Sequence, residues 1–377
     1  MNAVRLPNRF VGGFPAGRRR LQCRAQPVRY DTGETAVADD PAIDKDAWLA
    51  ATVEQPIDPD IEIVDPHHHL WDFPAGTYLV PELHADTGAG HNVTQTVFVE
   101  CMAGYYTSGP EHMRPVGETE FVAEQAAISA DADGATISAI VSFADLTLGN
   151  AVEEVLAAHD EAGEGLFRGI RHANGWDASD QIRESHTKAP PGLLGAPDFR
   201  TGFATLGRMG FSFDGWMFHP QVNELVDLAH AVPDTPVVLD HLGGPLGIGP
   251  YTDRRDEVRA VVRPALEALA RHPQVTVKVG GIGMSIYGVG FKRLPQAPSS
   301  EHVAATWSDD IRHAIETFGP DRCMFESNFP VDKQGCSYTV LFNAFQRICD
   351  QAGYTPSERA DLFAGTARRF YRVDPLS

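Results

Sequence analysis

Ile61-Glu62-Ile63-Val64-Asp65-Pro66-His67-His68-His69-Leu70-Trp71-Asp72 is the stretch on which the reading of this chain turns. Its first four residues form a β-type run that ends at Asp65-Pro66, and three histidines follow at once. Side chains alternate along a strand, so His67 and His69 share one face while His68 takes the other. Two imidazoles on one face of a strand end suit a borderline-soft divalent cation. Stacked, hydrogen-bonded histidines are the plain alternative.

Outward from this segment the same kind of run recurs at 96–100, 137–141, 167–171, 211–219, 237–241, 275–279 and 323–327. Amphipathic stretches lie between them. One starts at Asn150 and places Val152, Val155, Leu156 and His159 on one face; others cover 199–209, 258–271, 338–350 and 357–371. Eight strands separated mostly by helices imply parallel pairing through right-handed crossovers, hence an α/β fold of the (β/α)₈ TIM-barrel type. An open doubly wound sheet is the competitor, but no glycine-rich phosphate loop follows the first strand. The barrel is expected over 58–372, preceded by a largely irregular or disordered extension, 1–57.

His67, Glu100, Arg171, His219, His241 and Asn328 all fall at or just beyond strand C-termini, the end at which such barrels place their sites. Insertions at 101–120, 172–198, 243–256 and 283–305 would wall that mouth. Trp71, Trp176, Trp216 and Phe329 are candidates for an apolar lining, and Lys278 for a substrate contact or a buried pairing partner.

With 377 residues, 43% apolar and 22% charged, the chain can bury a large core. Five cysteines, odd in number and without metal-type spacing, point to free thiols in a reducing compartment. A formal charge of −20 argues against nucleic acid and anionic lipid as partners, and no apolar run is long enough to span a membrane. Seven arginines precede the first acid, Asp31. That leader reads as an irregular tail, with organellar import as the lesser alternative to a cytoplasmic protein.

Four segments carry a resemblance: Val64 to His69, Gly169-Ile170-Arg171, Val238-Leu239-Asp240-His241-Leu242-Gly243, and Phe318 to Pro330. In consistent order over about 60–372, they resemble the amidohydrolase superfamily. The similarity is to its amidohydrolase-related branch of lactonases and decarboxylases. The resemblance implies a divalent metal, zinc or manganese, on His67, His69 and His219, with His241 as a catalytic residue. It also implies a substrate carboxylate gripped by Arg171 beside His172, and a guanidinium fork suits that task. Trp71 and Lys278 complete the expected substrate contacts.

The family usually carries aspartate at the strand-8 position, where this chain has Asn328. An amide is neither an anionic ligand nor a general base. Glu326 or Glu100 would then supply the carboxylate, or the site works without a tightly bound metal. The expected activity is hydrolysis of a lactone or related cyclic ester of a small carboxylated acid. Non-oxidative decarboxylation and a ligand-binding barrel with altered catalysis are the alternatives, and self-association into a homo-oligomer stays open.

Overall fold

The computed structural model describes residues 44–376 except Ala75; the arginine-rich leader lies outside the described residues. Eight parallel strands follow one another around the sheet in sequence order. Strand 1 is Glu62–His68, strand 2 Asn92–Val99, strand 3 Thr136–Ser142 and strand 4 Phe167–Arg171. Strand 5 is Ser212–Gly215, strand 6 Val237–Leu239, strand 7 Val275–Lys278 and strand 8 Cys323–Met324. Strand 8 returns to strand 1 through the segment beyond it. Asn328 N–H donates to His67 O at 2.9 Å and His69 N–H to Phe329 O at 2.8 Å, closing the barrel. The expected TIM-barrel architecture is therefore the observed one.

Strand 1 ran longer than its apolar pattern suggested. The ladder with strand 2 skips between Asp65 and His68, where Pro66 has no N–H to give. Strand geometry nonetheless persists through the histidines, because the neighbouring strand and the 327–329 segment hold them on both sides. Strands 5, 6 and 8 are shorter than expected, since their last residues turn into the loops that carry the polar groups.

Helices fill the connections. They include α1 (Lys45–Ala50), α2 (Val80–Thr87), α3 (Val116–Ala130), α4 (Val152–Ala162), α5 (Pro197–Arg208), α6 (Val222–Ala231), α7 (Arg255–Leu269), α8 (Ser300–Phe318) and α9 (Tyr338–Ala352). The final stretch passes through a π turn at Asp361–Gly365 into a last helix, Thr366–Tyr371. Helices α3 and α8 begin inside stretches expected to be loops. Helix α1 lies inside the stretch expected to be irregular. Asp44 caps it, it docks by Trp48 Nε1–H to Leu294 O at 2.9 Å, and just beyond it Thr52 Oγ1–H donates to Ala297 O at 2.6 Å. Among the described residues no helix is long and apolar enough to cross a membrane.

Candidate active site

The strand ends and the loops just beyond them bring His67, Arg171, Asp214, Asp240, His241, Lys278 and Glu326 together, all nearly or fully buried. Glu326 straddles two imidazoles. Its Oε1 lies 2.7 Å from His241 Nδ1 in a hydrogen bond and accepts from the His241 backbone N–H at 3.2 Å. Its Oε2 lies 2.9 Å from His67 Nδ1, but off the line of a hydrogen bond. Burial pushes the Glu326 carboxyl well above the ordinary range, with Lys278 pulling the other way.

His241 sits in a left-handed backbone conformation, φ 54°. A Cβ on Gly281 would come within 2.3 Å of its Nδ1, so the ring fits only because a glycine faces it. With Nδ1 held against Glu326 Oε1, Nε2 is the ring nitrogen of His241 left to meet a substrate. The ring packs 4.6 Å from that of His67 and 4.8 Å from that of Trp216. Burial lowers the His241 pKa to about 3, and Arg171 and Lys278 reinforce this against Asp240.

His67 is flanked by two cations. Lys278 Nζ is 3.1 Å from Nδ1, and Arg171 Nη1 is 3.4 Å from Nε2. A neutral imidazole offers one ring lone pair, and burial with Lys278 beside it holds His67 neutral. The shorter contact takes the lone pair, so Nδ1 accepts from Lys278 and Nε2 carries the proton. Nε2–H and Arg171 Nη1–H then meet donor against donor at 3.4 Å, a repulsion that an anionic oxygen accepting from both would relieve.

Arg171 is otherwise spent. Its Nε donates to Glu100 Oε1 at 2.7 Å and its Nη2 to Glu100 O at 2.6 Å. The free fork expected for a substrate carboxylate is therefore engaged by Glu100, leaving Nη1. Burial would raise the Glu100 pKa, but His186, 3.1 Å away, and Arg171 outweigh it and hold the carboxylate well below its usual range. Behind it, Glu118 accepts from the N–H groups of Cys101 and Ala103 at 2.9 and 2.7 Å. Burial and the charge of Glu100 push Glu118 up to about 8.

Neither oxygen of Asp240 has a conventional hydrogen bond. Lys278 at 3.0 Å and Arg171 at 3.8 Å hold it by charge. Lys278 also donates to Asp214 at 2.7 Å, and Tyr371 O–H reaches the same oxygen at 2.6 Å.

The other expected residues sit around this group. His69 bonds Val99 O at 2.8 Å through Nδ1, its Nε2 is 3.2 Å from the Asn328 amide, and Trp71 stacks on its ring. The Asn328 amide reaches Asp332 at 2.8 Å. His172 packs against Phe143 and Phe199 and takes the Leu146 N–H at Nδ1. His219 takes the Leu246 N–H at Nδ1 and lies against Tyr251. His68 points away to Thr96 at 3.0 Å, as strand alternation requires.

Among the described residues, one grouping has donors close enough to hold a cation: His67, Asp240 and His241, within 4.8 Å of one another. Two imidazoles and a carboxylate are a fitting donor set. The expected trio of His67, His69 and His219 is thus not the one brought together. His219 spends its Nδ1 lone pair on the Leu246 N–H, His69 donates Nδ1–H to Val99 O with Nε2 turned to Asn328, and Asp240 lies with His67 and His241 instead. A cleft of about 200 Å³ between α7 and α8, lined by Leu242, Tyr287 and Trp307, contains none of these side chains.

The family model for amidohydrolases matches residues 64–373. The chain belongs to the amidohydrolase family. An uncharacterised protein of Sinorhizobium fredii is 30% identical, aligned over 83% of this amidohydrolase and 99% of its own length. An L-fucono-1,5-lactonase of Burkholderia multivorans is 26% identical over 82% of this chain and 96% of its own. An amidohydrolase structure from the same bacterium, holding HEPES, matches with a TM-score of 0.64 and 26% identity. It covers 83% of this chain and 99% of that one. A second crystal form with zinc matches at 0.63 and 25%, with the same coverage.

Sequence reasoning did not assign His186, Asp214, Asp240 or Asp332 to the site of this amidohydrolase. An acid inside an apolar strand, Phe213-Asp214-Gly215, was a readable signal for Asp214. His186 arrives on a loop whose path no periodicity encodes.

Proposed function

We propose that this amidohydrolase opens the ring of a small, oxygen-rich lactone by hydrolysis. The observation that carries the reading is the 3.4 Å contact of Arg171 Nη1 with His67 Nε2, beside a histidine, His241, whose Nδ1 is held by Glu326. The lactone carbonyl oxygen accepts from His67 and Arg171. His241 Nε2 takes a proton from water as the water oxygen bonds to the carbonyl carbon, with the charge of Asp240 supporting the imidazolium against the burial that lowers its pKa to about 3. The tetrahedral oxyanion rests against the same two donors. Its collapse breaks the ring C–O bond, and the imidazolium of His241 returns the proton to the departing alkoxide. The products are a carboxylic acid and a hydroxyl on one molecule.

The lactonase names carried by relatives from Burkholderia multivorans and Scheffersomyces stipitis support this substrate class. His67, Asp240 and His241 are the residues that would hold a divalent cation, zinc by the chemistry of the donors, and its Lewis-acid polarisation of the carbonyl would replace their roles as donor and base. The barrel of residues 58–372 is the catalytic unit. The acidic balance and the unpaired thiols of Cys101, Cys323, Cys336 and Cys349 fit a cytoplasmic setting.

The test is proton release from a panel of five- and six-membered aldonolactones and carboxylated pyrones, with wild-type protein and His241→Ala. Turnover of at least one lactone, lost in the variant, is expected. No hydrolysis across the panel, with carbon dioxide released from a carboxylated phenol instead, would replace the reading by decarboxylation.

A further inference from the structure

Lys278 is the last residue of strand 7 and is wholly buried. Three acceptor atoms surround its ammonium: Asp214 Oδ2 at 2.7 Å, Asp240 Oδ1 at 3.0 Å and His67 Nδ1 at 3.1 Å. Asp240 and His67 are also two of the three groups that gather with His241 as a cation site. A zinc-type ion would need one lone pair from each of these residues at about 2.0–2.2 Å. An ammonium already in contact with both would then lie beside a double positive charge, with little water to screen the repulsion.

The lysine is also braced from below. Tyr371 bonds the Asp214 oxygen that Lys278 uses, and its ring lies 5.4 Å from Nζ. With no solvent exposure and packed neighbours on every side, the chain cannot swing aside without leaving Asp214 and Asp240 without their main counter-charge.

We propose that Lys278 is the resident cation of this centre: its ammonium and a divalent metal exclude each other, so the lysine decides whether the His67–Asp240–His241 grouping is loaded. The residue acts by position. It supplies the positive charge that Asp240 requires and fixes the His67 lone pair on Nδ1. The proposal does not depend on the substrate, and its readout is metal content.

The experiment is equilibrium dialysis of the full chain against zinc, with elemental analysis, for wild type, Lys278→Met and Lys278→Met/His67→Ala. Wild type is expected to hold far less than one equivalent. Lys278→Met is expected to hold close to one, bound at least about tenfold more tightly, and the double variant to lose it. Thermal melting provides a second arm. Zinc should raise the melting temperature of Lys278→Met, whose two carboxylates lack a counter-charge, and leave wild type unmoved. Wild type retaining one equivalent through gel filtration overturns the proposal. So does Lys278→Met binding no more zinc than wild type. If Lys278→Met does not fold even with zinc, the wild-type measurement decides alone.

Discussion

Val238 and Asp240 lie two residues apart on the same face of strand 6 and its extension, yet they occupy opposite environments. Val238 belongs to an apolar cluster with Val64, Val97, Ala139, Met324 and Tyr371. Asp240 sits among Lys278, Arg171 and His67. The same step is taken on four other strands: Gly169 to Arg171, Ser212 to Asp214, Thr276 to Lys278 and Met324 to Glu326. The lumen is therefore two layers, an uncharged, largely apolar floor and a charged ceiling, separated by one strand repeat. The floor is held by area and packing, which are non-directional. The ceiling is held by pairing, and every charge removed from it exposes another.

The harshest way to break this contrast is Val238→Asp, which puts a ceiling residue in the floor. An unpaired buried charge costs several kcal/mol, comparable with a domain's whole stability, so no cooperative melt is expected by circular dichroism; a native-like melt would show that the floor tolerates charge. His241→Ala, in the ceiling, is expected to cut kcat/KM for the lactone that is turned over by about 10²–10⁴-fold. Its melt should stay cooperative, at a temperature lowered by the Glu326 carboxyl left without its imidazole, which separates chemistry from fold.

Acid sharpens the comparison further. Burial lowers His68 to about 3 and His159 to about 4, against 6.5 for an exposed histidine. The unfolded chain binds these protons more readily, so their contribution is complete above pH 6.5 and is lost as pH falls toward those values. Urea titrations should show stability falling by about 1.4 kcal/mol per pH unit for each such histidine. His159→Gln should flatten that slope. The smallest effect is expected outside both layers. Glu62 pairs with Arg368 at 2.6 Å while half exposed, and Glu62→Gln should cost less than about 1 kcal/mol.

Legibility followed the same division. The strands that build the floor announce themselves by apolar runs, and the order of eight such runs was enough for the barrel. The histidines and Arg171 were visible because polar residues at strand ends are conspicuous. Pairings were not visible. Arg171 looked like an open fork until Glu100 was found on it, and Asp240 stood inside a quoted motif without an assigned task. Helix α8 lay partly within a stretch rich in Pro and Gly, whose punctuation hid its start at Ser300. His186 and Asp332 depend on loop paths, which are set by tertiary packing rather than by any local repeat.

Asn328 has φ 55°, a left-handed conformation that asparagine and aspartate both accept. One base change in its codon would give aspartate. That carboxylate would face Asp332 across the 2.8 Å now spanned by an amide, and two acids so close must share one proton. The amide group stands where that shared hydrogen would be. Asn328 behaves as an acid whose proton has become permanent, and a single letter of genetic code separates a bridge with one titrating carboxyl from a bridge with two.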